Sequence, residues 1–141
     1  MKIINIVLLF LLITVSVYSQ NFNGTYKENS SGITLKISNY NKVKGSLTFE
    51  LIVNEHPCFG SRKEIANCCE YDNAPANEFM FQTGQDVGDT FLYLTFNNNN
   101  GNVLLKSDEN GFNIAGMCGI FKDEFVFKKM ITPKKIIKKK K

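Results

Sequence analysis

Apolar and polar residues alternate along several segments of this chain, and this period of two constrains the fold more than any other feature. Residues 33–38 (ITLKIS) alternate strictly, and residues 47–53 (LTFELIV) repeat the pattern after a polar loop at 39–45. Such alternation is typical of strands that bury one face and leave the other in water. The two segments therefore predict neighbouring antiparallel strands.

The second half of the chain predicts a meander of hairpins. Residues 97–101 and 107–111 both end in Asn-Gly, a pair that accommodates the positive φ of a tight hairpin turn. The segments around these turns are rich in apolar and aromatic residues. The segment at 91–96 is apolar enough to be covered on both faces. The predicted strands are 91–96, 103–106, 112–117 and 120–128.

The remaining segments complete an all-β prediction. Residues 22–27 and 78–82 predict further strands, and residues 62–69 predict a helical turn or a short strand. Eight or nine strands at spacings of about 8 to 12 residues are typical of barrels and sandwiches. We predict a small antiparallel up-and-down meander barrel of about eight strands, because closure removes exposed sheet edges. A two-sheet β-sandwich is the alternative.

The N-terminal residues predict export from the cell. Lys2 precedes an apolar run at 3–17, and small residues follow before Gln20, an order typical of a cleaved signal peptide. A membrane anchor is the alternative, but the run is shorter than the ~20 apolar residues of a spanning helix. We therefore expect a signal peptide at 1–19, a secreted (extracellular or periplasmic) barrel at 20–129 with no transmembrane segment, and a tail at 130–141.

The cysteines Cys58, Cys68, Cys69 and Cys118 predict two disulfides in an exported chain. Three pairings exist, and we favour the two in which Cys68 and Cys69 each find a distant partner, because pairing neighbours closes a strained ring. Closing a loop of about 50 residues contributes about 4 kcal/mol. The cysteine spacing matches no zinc pattern and His56 is the only histidine, so we predict no metal and no cofactor.

Charge divides the chain into an acidic body and a basic tail. Residues 20–127 carry eight basic side chains against thirteen acidic ones, a net charge of −5, whereas residues 128–141 carry +8. Like charges repel, so we expect the lysine-rich tail to be disordered. It could instead bind anionic surfaces through the segment from Lys134 to Lys141. The tail has no aromatic residue that would stack on bases, so we expect no specific binding of nucleic acid.

Three patterns of reactive side chains suggest chemistry, and each has a structural explanation that we favour. His56 and Cys58 could form a nucleophilic dyad, but a proline separates them and the thiol is expected to be bridged. Asp86 and Asp89 could offer oxygen ligands to calcium, without matching a known loop. Two carboxylates across a cleft could hydrolyse glycosides. The central acids are Glu50, Glu55, Glu64, Glu70, Asp72, Glu78, Asp86 and Asp89. We predict that they are solvated charges and that the chain has no catalytic residues.

Asn23 and Asn29 each begin an Asn-x-Ser/Thr triplet, the acceptor sequence for N-linked glycan. Whether glycan is attached depends on whether the producing cell glycosylates exported proteins. Both asparagines are therefore candidate glycosylation sites.

Short motifs along the mature chain resemble those of small exported eight-stranded barrels, among them calycin-like domains and secreted lysozyme inhibitors. The motifs are 24–27 (GTYK), 58–60 (CFG) with Ala66, 118–121 (CGIF) and 125–129 (FVFKK). The chain has no tryptophan and no Ser-Gly-x-x-Tyr loop, so no inhibitory residue carries over.

We expect a secreted, non-enzymatic binding protein that recognises a protein partner or a small apolar ligand. The resemblance to lysozyme inhibitors implies an inhibitor-like role. A filled barrel favours the protein partner, whereas an apolar cavity favours the ligand. The alternatives are a small secreted hydrolase that works through carboxylates and a protein that adheres to anionic polymers through its tail.

Overall fold

A computed structural model of the chain describes residues 21–55, 58–69, 72–82, 90–108, 111–115, 118–120 and 124–131. The predicted signal peptide and most of the tail lie outside these residues. No helix among the described residues has the length and apolarity to cross a membrane. The strands are β1 (Gly24–Lys27), β2 (Ile33–Asn41), β3 (Ser46–Glu55), β4 (Cys58–Cys68), β5 (Glu78–Gln82), β6 (Phe91–Phe96), β7 (Val103–Ser107), β8 (Phe112–Ala115), β9 (Cys118–Ile120) and β10 (Glu124–Lys129).

Eight of these strands close into an antiparallel barrel, in the spatial order β1-β10-β7-β6-β5-β4-β3-β2. The first strand completes the closure because it pairs with β2 on one side and with β10 on the other. The predicted up-and-down barrel is therefore confirmed. The glycines of the two predicted Asn-Gly turns, Gly101 and Gly111, have φ values of 69° and 70°, which glycine adopts without steric cost.

The hairpin β8–β9 departs from the predicted meander. Residues 112–117 were expected to be the next strand of the barrel wall, but β7 pairs directly with β10, with Leu105 opposite Phe125. The strands β8 and β9 pair only with each other among the described residues, and β8 packs against β3 and β4. Phe112 and Ile114 of β8 are buried in the barrel core, which explains why this segment leaves the wall.

Strand β4 is longer than the helical turn or short strand predicted at 62–69. It spans eleven residues and pairs with β3 from Cys58 to Asn67. Arg62 and Glu64 lie opposite the buried residues Leu51 and Phe49, so their side chains point towards the interior. Polar residues at inward positions hid the alternation on which strand prediction depends.

The disulfides also differ from the expected pairing. Cys68 and Cys69 bond to each other, although each was expected to find a distant partner. The pairing of neighbours is accommodated because the chain leaves β4 at this point and Cys69 takes a left-handed conformation, with φ of 65°. Cys58 is also disulfide-bonded, and the side chain of Cys118 lies outside the described residues.

Candidate binding surface

Aromatic side chains of the chain itself pack inside the barrel. The ring of Phe22, just before β1, stacks on Phe96 with centroids 4.0 Å apart, and Phe79 meets Phe96 edge-on at 5.7 Å. Further along the interior, Phe112 lies 5.9 Å from Phe81 and 6.3 Å from Phe49. These rings occupy the space in which a barrel of this size would hold a small guest.

Arg62 attaches the hairpin β8–β9 to the barrel. Its Nη1 donates a hydrogen bond of 2.9 Å to the carbonyl oxygen of Asn113, and its Nε lies 2.9 Å from Oε1 of Glu64. The guanidinium carbon is 4.5 Å from the centroid of the Phe112 ring and 5.7 Å from that of Phe81. An inward arginine is tolerated here because the carboxylate, the carbonyl and the ring faces compensate its charge.

A depression beside Phe22 is lined by the chain's own lysine, Lys129. Lys129 donates a hydrogen bond of 3.2 Å from Nζ to the carbonyl oxygen of Asn21, and the same atom lies 5.6 Å from the centroid of the Tyr26 ring. The Tyr26 hydroxyl donates to the carbonyl oxygen of Phe22 at 2.6 Å. Burial raises the pKa of Tyr26 to about 12. This depression is therefore built for packing rather than for proton transfer near neutral pH.

The outer surface carries a shallow cleft that crosses β5, β6, β7 and β10. We call it the Tyr93 face, and its lining residues are Glu78, Tyr93, Thr95, Leu104, Lys106 and Glu124. These side chains point outwards because their strand neighbours, such as Leu94 and Leu105, are fully buried and successive side chains of a strand lie on opposite faces. Four adjacent strands thus hold the face on a continuous ladder.

Strand register fixes the layout of the Tyr93 face. One cross-strand row runs from Tyr93 through Lys106 to Glu124, and the next runs from Glu78 through Thr95 to Leu104. The Thr95 hydroxyl donates a hydrogen bond of 3.0 Å to Oε2 of Glu78. Carboxylates therefore stand at both lateral ends of the face, with the tyrosine between them.

Tyr93 is the aromatic centre of this face. The Phe91 ring lies beside it, with centroids 6.5 Å apart and ring planes 23° apart. Partial burial raises the pKa of Tyr93, and the carboxylates of Asp108 and Glu78 raise it further. The hydroxyl is therefore neutral at physiological pH and lies in a negative potential.

The two glutamates of the face are widely separated. Glu78 and Glu124 lie three strands apart, which places their backbones about 14 Å apart across the sheet. Paired glycosidase carboxyl groups lie about 5 to 10 Å apart, so the register does not favour the hydrolase alternative at this face.

The other central acids are engaged or lie elsewhere. Glu50 pairs with Lys36 at 3.8 Å on the outer surface, Glu64 pairs with Arg62, and Asp72 is exposed. The side chain of Glu55, the residue Glu70, and the residues Asp86 and Asp89 of the calcium hypothesis lie outside the described residues. Within the described ranges, no group of three or more histidine, cysteine or acidic side chains could hold a metal ion.

The remaining candidates do not converge on one site. Cys58 begins β4 and is already bridged, which removes the nucleophile of the suggested dyad, and His56 lies outside the described residues. Asn29 is exposed in the turn between β1 and β2. Asn23 is exposed before β1, and its side-chain oxygen accepts a hydrogen bond of 3.1 Å from the backbone N–H of Tyr40.

Sequence reasoning did not identify the Tyr93 face. Tyr93 belongs to an apolar strand that was expected to be covered on both sides, and Lys106 and Glu124 are charged residues near strand ends with no motif around them. No protein-family model, curated protein or solved structure matches the chain. The site therefore has to be interpreted from its own geometry.

Proposed function

We propose that this chain is a secreted, non-enzymatic binding protein that recognises a protein partner through the Tyr93 face. The observation that carries the proposal is an aromatic-centred cleft on the outside of a barrel whose interior is packed with the chain's own rings. Because the interior positions are occupied, recognition of a small apolar guest is less well supported than recognition at the surface.

The composition of the face suits a protein interface. Tyrosine is enriched among the residues that contribute most to binding energy, and the rim around the centre of a protein interface is typically polar. On the Tyr93 face the ring has Leu104 nearby as apolar surface, while Glu78, Lys106 and Glu124 supply a charged rim. Charged rims contribute orientation and partner choice more than affinity.

Secretion and inhibitor-like activity are parts of the same proposal. The signal-like residues 1–19 and the cysteine content support export. The motif resemblance to calycin-like domains and lysozyme inhibitors supports a binding role on this kind of barrel. The chain lacks the inhibitory loop of those inhibitors. The Tyr93 face, rather than a loop, would therefore contact the partner.

The test is capture from the native extracellular medium with the mature, oxidised protein as bait. Tyr93→Ser is compared with Phe59→Ser, which removes another outer-face aromatic ring, 66% exposed on β4. We expect one partner to be retained by the unmodified protein and by Phe59→Ser, and its affinity to fall at least about 30-fold in Tyr93→Ser, the scale of a hot-spot tyrosine. Equal capture by both variants would exclude the Tyr93 face. A stoichiometric apolar molecule extracted from the purified protein would favour the ligand alternative.

A further inference from the structure

The C-terminal residues have the opposite charge to the body that they follow. After Ile131 the chain continues for ten residues, which include six lysines and no acidic residue. The body from residue 20 to residue 127 carries a net charge of −5. Strand β10, which contributes Glu124 to the Tyr93 face, is also the strand from which this segment departs.

The Tyr93 face presents groups that attract a lysine side chain. Its ring is a cation–π acceptor, and the carboxylates of Glu78 and Glu124 lie on either side of it, with Lys106 as a cation within the same cleft. A lysine stem can cover apolar surface such as Leu104 while its ammonium group reaches a carboxylate. The negative potential around the Tyr93 hydroxyl, from Asp108 and Glu78, also attracts a lysine ammonium group.

The segment is long enough to reach the face. Glu124 lies seven residues before Ile131, about 23 Å along an extended chain, and Tyr93 lies two strands away from Glu124, about 10 Å across the sheet. The straight-line distance from Ile131 to Tyr93 is therefore at most about 25 Å. Ten extended residues span up to about 33 Å, so a reversal after Ile131 brings the lysines onto the face.

We propose that residues 132–141 dock on the Tyr93 face of the same molecule, with lysine ammonium groups beside Glu78 and Glu124 and a lysine stem over the Tyr93 ring. The docked segment covers the surface that the proposed function assigns to a protein partner. A partner then has to displace it, so the tail acts as an internal competitor. The docking itself does not depend on any partner.

The experiment uses a protein that ends at Ile131 and a fluorescent synthetic peptide of residues 130–141. We expect saturable binding at low salt that weakens steeply as salt is added, because the contacts are between exposed charges. The double variant Tyr93→Ser/Glu124→Gln should lose at least tenfold in affinity. The matched control, Phe59→Ser/Glu50→Gln, removes one ring and one carboxylate from the outer faces of β3 and β4 and should stay within about twofold, because neither residue lines the Tyr93 face. Circular dichroism checks that both variants fold.

The full-length protein supplies the second measurement. Because its own tail occupies the face, it should bind the peptide at least tenfold more weakly than the protein that ends at Ile131, and it should remain a monomer as its concentration rises. Peptide binding that is equal for the two double variants would overturn the proposal, as would concentration-dependent dimerisation. Binding to phosphatidylglycerol vesicles as strong for the full chain as for the free peptide would show an undocked tail and would also overturn it. The peptide assay contains no partner. A negative result would therefore overturn only the docking of the tail, and the capture experiment would still test partner recognition.

Discussion

At the scale of single residues, the interior of this barrel accepts polar atoms only where a partner meets them. The Tyr26 hydroxyl is bonded to the Phe22 carbonyl, and its ring faces Lys129. Among the described residues, no buried side-chain nitrogen or oxygen lacks a hydrogen-bond partner. A buried hydroxyl that keeps its bond costs little, whereas one that loses it costs about 1 to 3 kcal/mol. Tyr26 therefore links the segment before β1 to the barrel.

The raised pKa of Tyr26 predicts a loss of stability in alkali. Between the unfolded value near 10 and the folded value of about 12, the unfolded chain ionises while the folded chain keeps its proton. The free energy of unfolding therefore falls as pH rises through this window, and the contribution is complete below pH 10. Tyr26→Phe removes both the hydrogen bond and this titration. We expect the native protein to be about 1 kcal/mol more stable than Tyr26→Phe at pH 8.

Urea denaturation of the two proteins at pH 8, 9.5 and 11 measures this difference. The advantage of the native protein should shrink as pH rises above 10 and should be gone by pH 11. Lysine titration affects both proteins alike and cancels in the comparison. An advantage that stays constant from pH 8 to pH 11 would show that Tyr26 ionises as easily when folded as when unfolded.

A pair of phenylalanines tests how much of the stability lies inside the barrel. Phe96 is 2% exposed and contacts Phe22, Tyr26 and Phe79. Phe96→Ala should cost about 3 to 5 kcal/mol, through lost apolar burial and the cavity that remains. Phe59→Ala, at an exposed position, should change the free energy of unfolding by less than about 0.5 kcal/mol. Chemical denaturation gives both values, and similar losses would mean that Phe59 is not the surface residue described.

At the scale of elements, the hairpin β8–β9 is tied to the barrel by side chains rather than by a strand ladder. In the described residues, β4 pairs with β5 only at Asn67 and Cys68, and β8 also packs against β4. Phe112 is buried in the interior there, and Arg62 donates a hydrogen bond to the backbone carbonyl oxygen of Asn113. Local stability of this hairpin should therefore depend on one arginine.

Arg62→Met should loosen β8 without unfolding the barrel. The substitution keeps an apolar side chain of similar length but removes the charged hydrogen bond and the cation–π contact. We expect protection of the amides of Phe112–Ala115 against hydrogen exchange to fall about tenfold, or about 1.4 kcal/mol, while β2 and β3 keep theirs. The control is Lys36→Met, which breaks the exposed pair with Glu50 and should leave β8 unchanged. Uniform loss of protection across β2, β3 and β8 would contradict a local role.

Much of the barrel could be predicted from alternation and turn chemistry, because β2, β3 and the hairpin β6–β7 follow local rules. The pairing of β7 with β10 could not be predicted, since it depends on where Phe112 packs and not on any local pattern. Strand β4 was hidden by its inward Arg62 and Glu64. The Tyr93 face was missed for a related reason: in sequence an outward aromatic residue on an apolar strand cannot be distinguished from a core residue.

At the scale of the whole molecule, covalent and electrostatic constraints act on different parts of the chain. Cys58, Cys68 and Cys69 lie in and just after β4, whereas the basic charge is concentrated after residue 127. The barrel closes without residues 132–141, because β10 ends at Lys129 and already pairs with β1. The truncation at Ile131 should therefore keep the β-sheet circular dichroism spectrum and, in high salt that screens the proposed docking of the tail, unfold within about 0.5 kcal/mol of the full chain. A loss of more than that would show that the tail belongs to the fold.

The two disulfides should contribute unequally to stability. A bridge between neighbours removes little freedom from the unfolded chain, about 1 kcal/mol in the loop-entropy account. Cys118 is the remaining cysteine in the sequence, so we expect the bridge of Cys58 to join it, closing a loop of about 60 residues and contributing about 4 kcal/mol. Peptide mapping of the oxidised protein should recover the Cys58–Cys118 linkage. Denaturation should then show a large loss for Cys58→Ser/Cys118→Ser and a small one for Cys68→Ser/Cys69→Ser. A peptide linking Cys118 to Cys68 or Cys69 would contradict this expectation, because each double variant would then remove both bridges and the two losses would be equal.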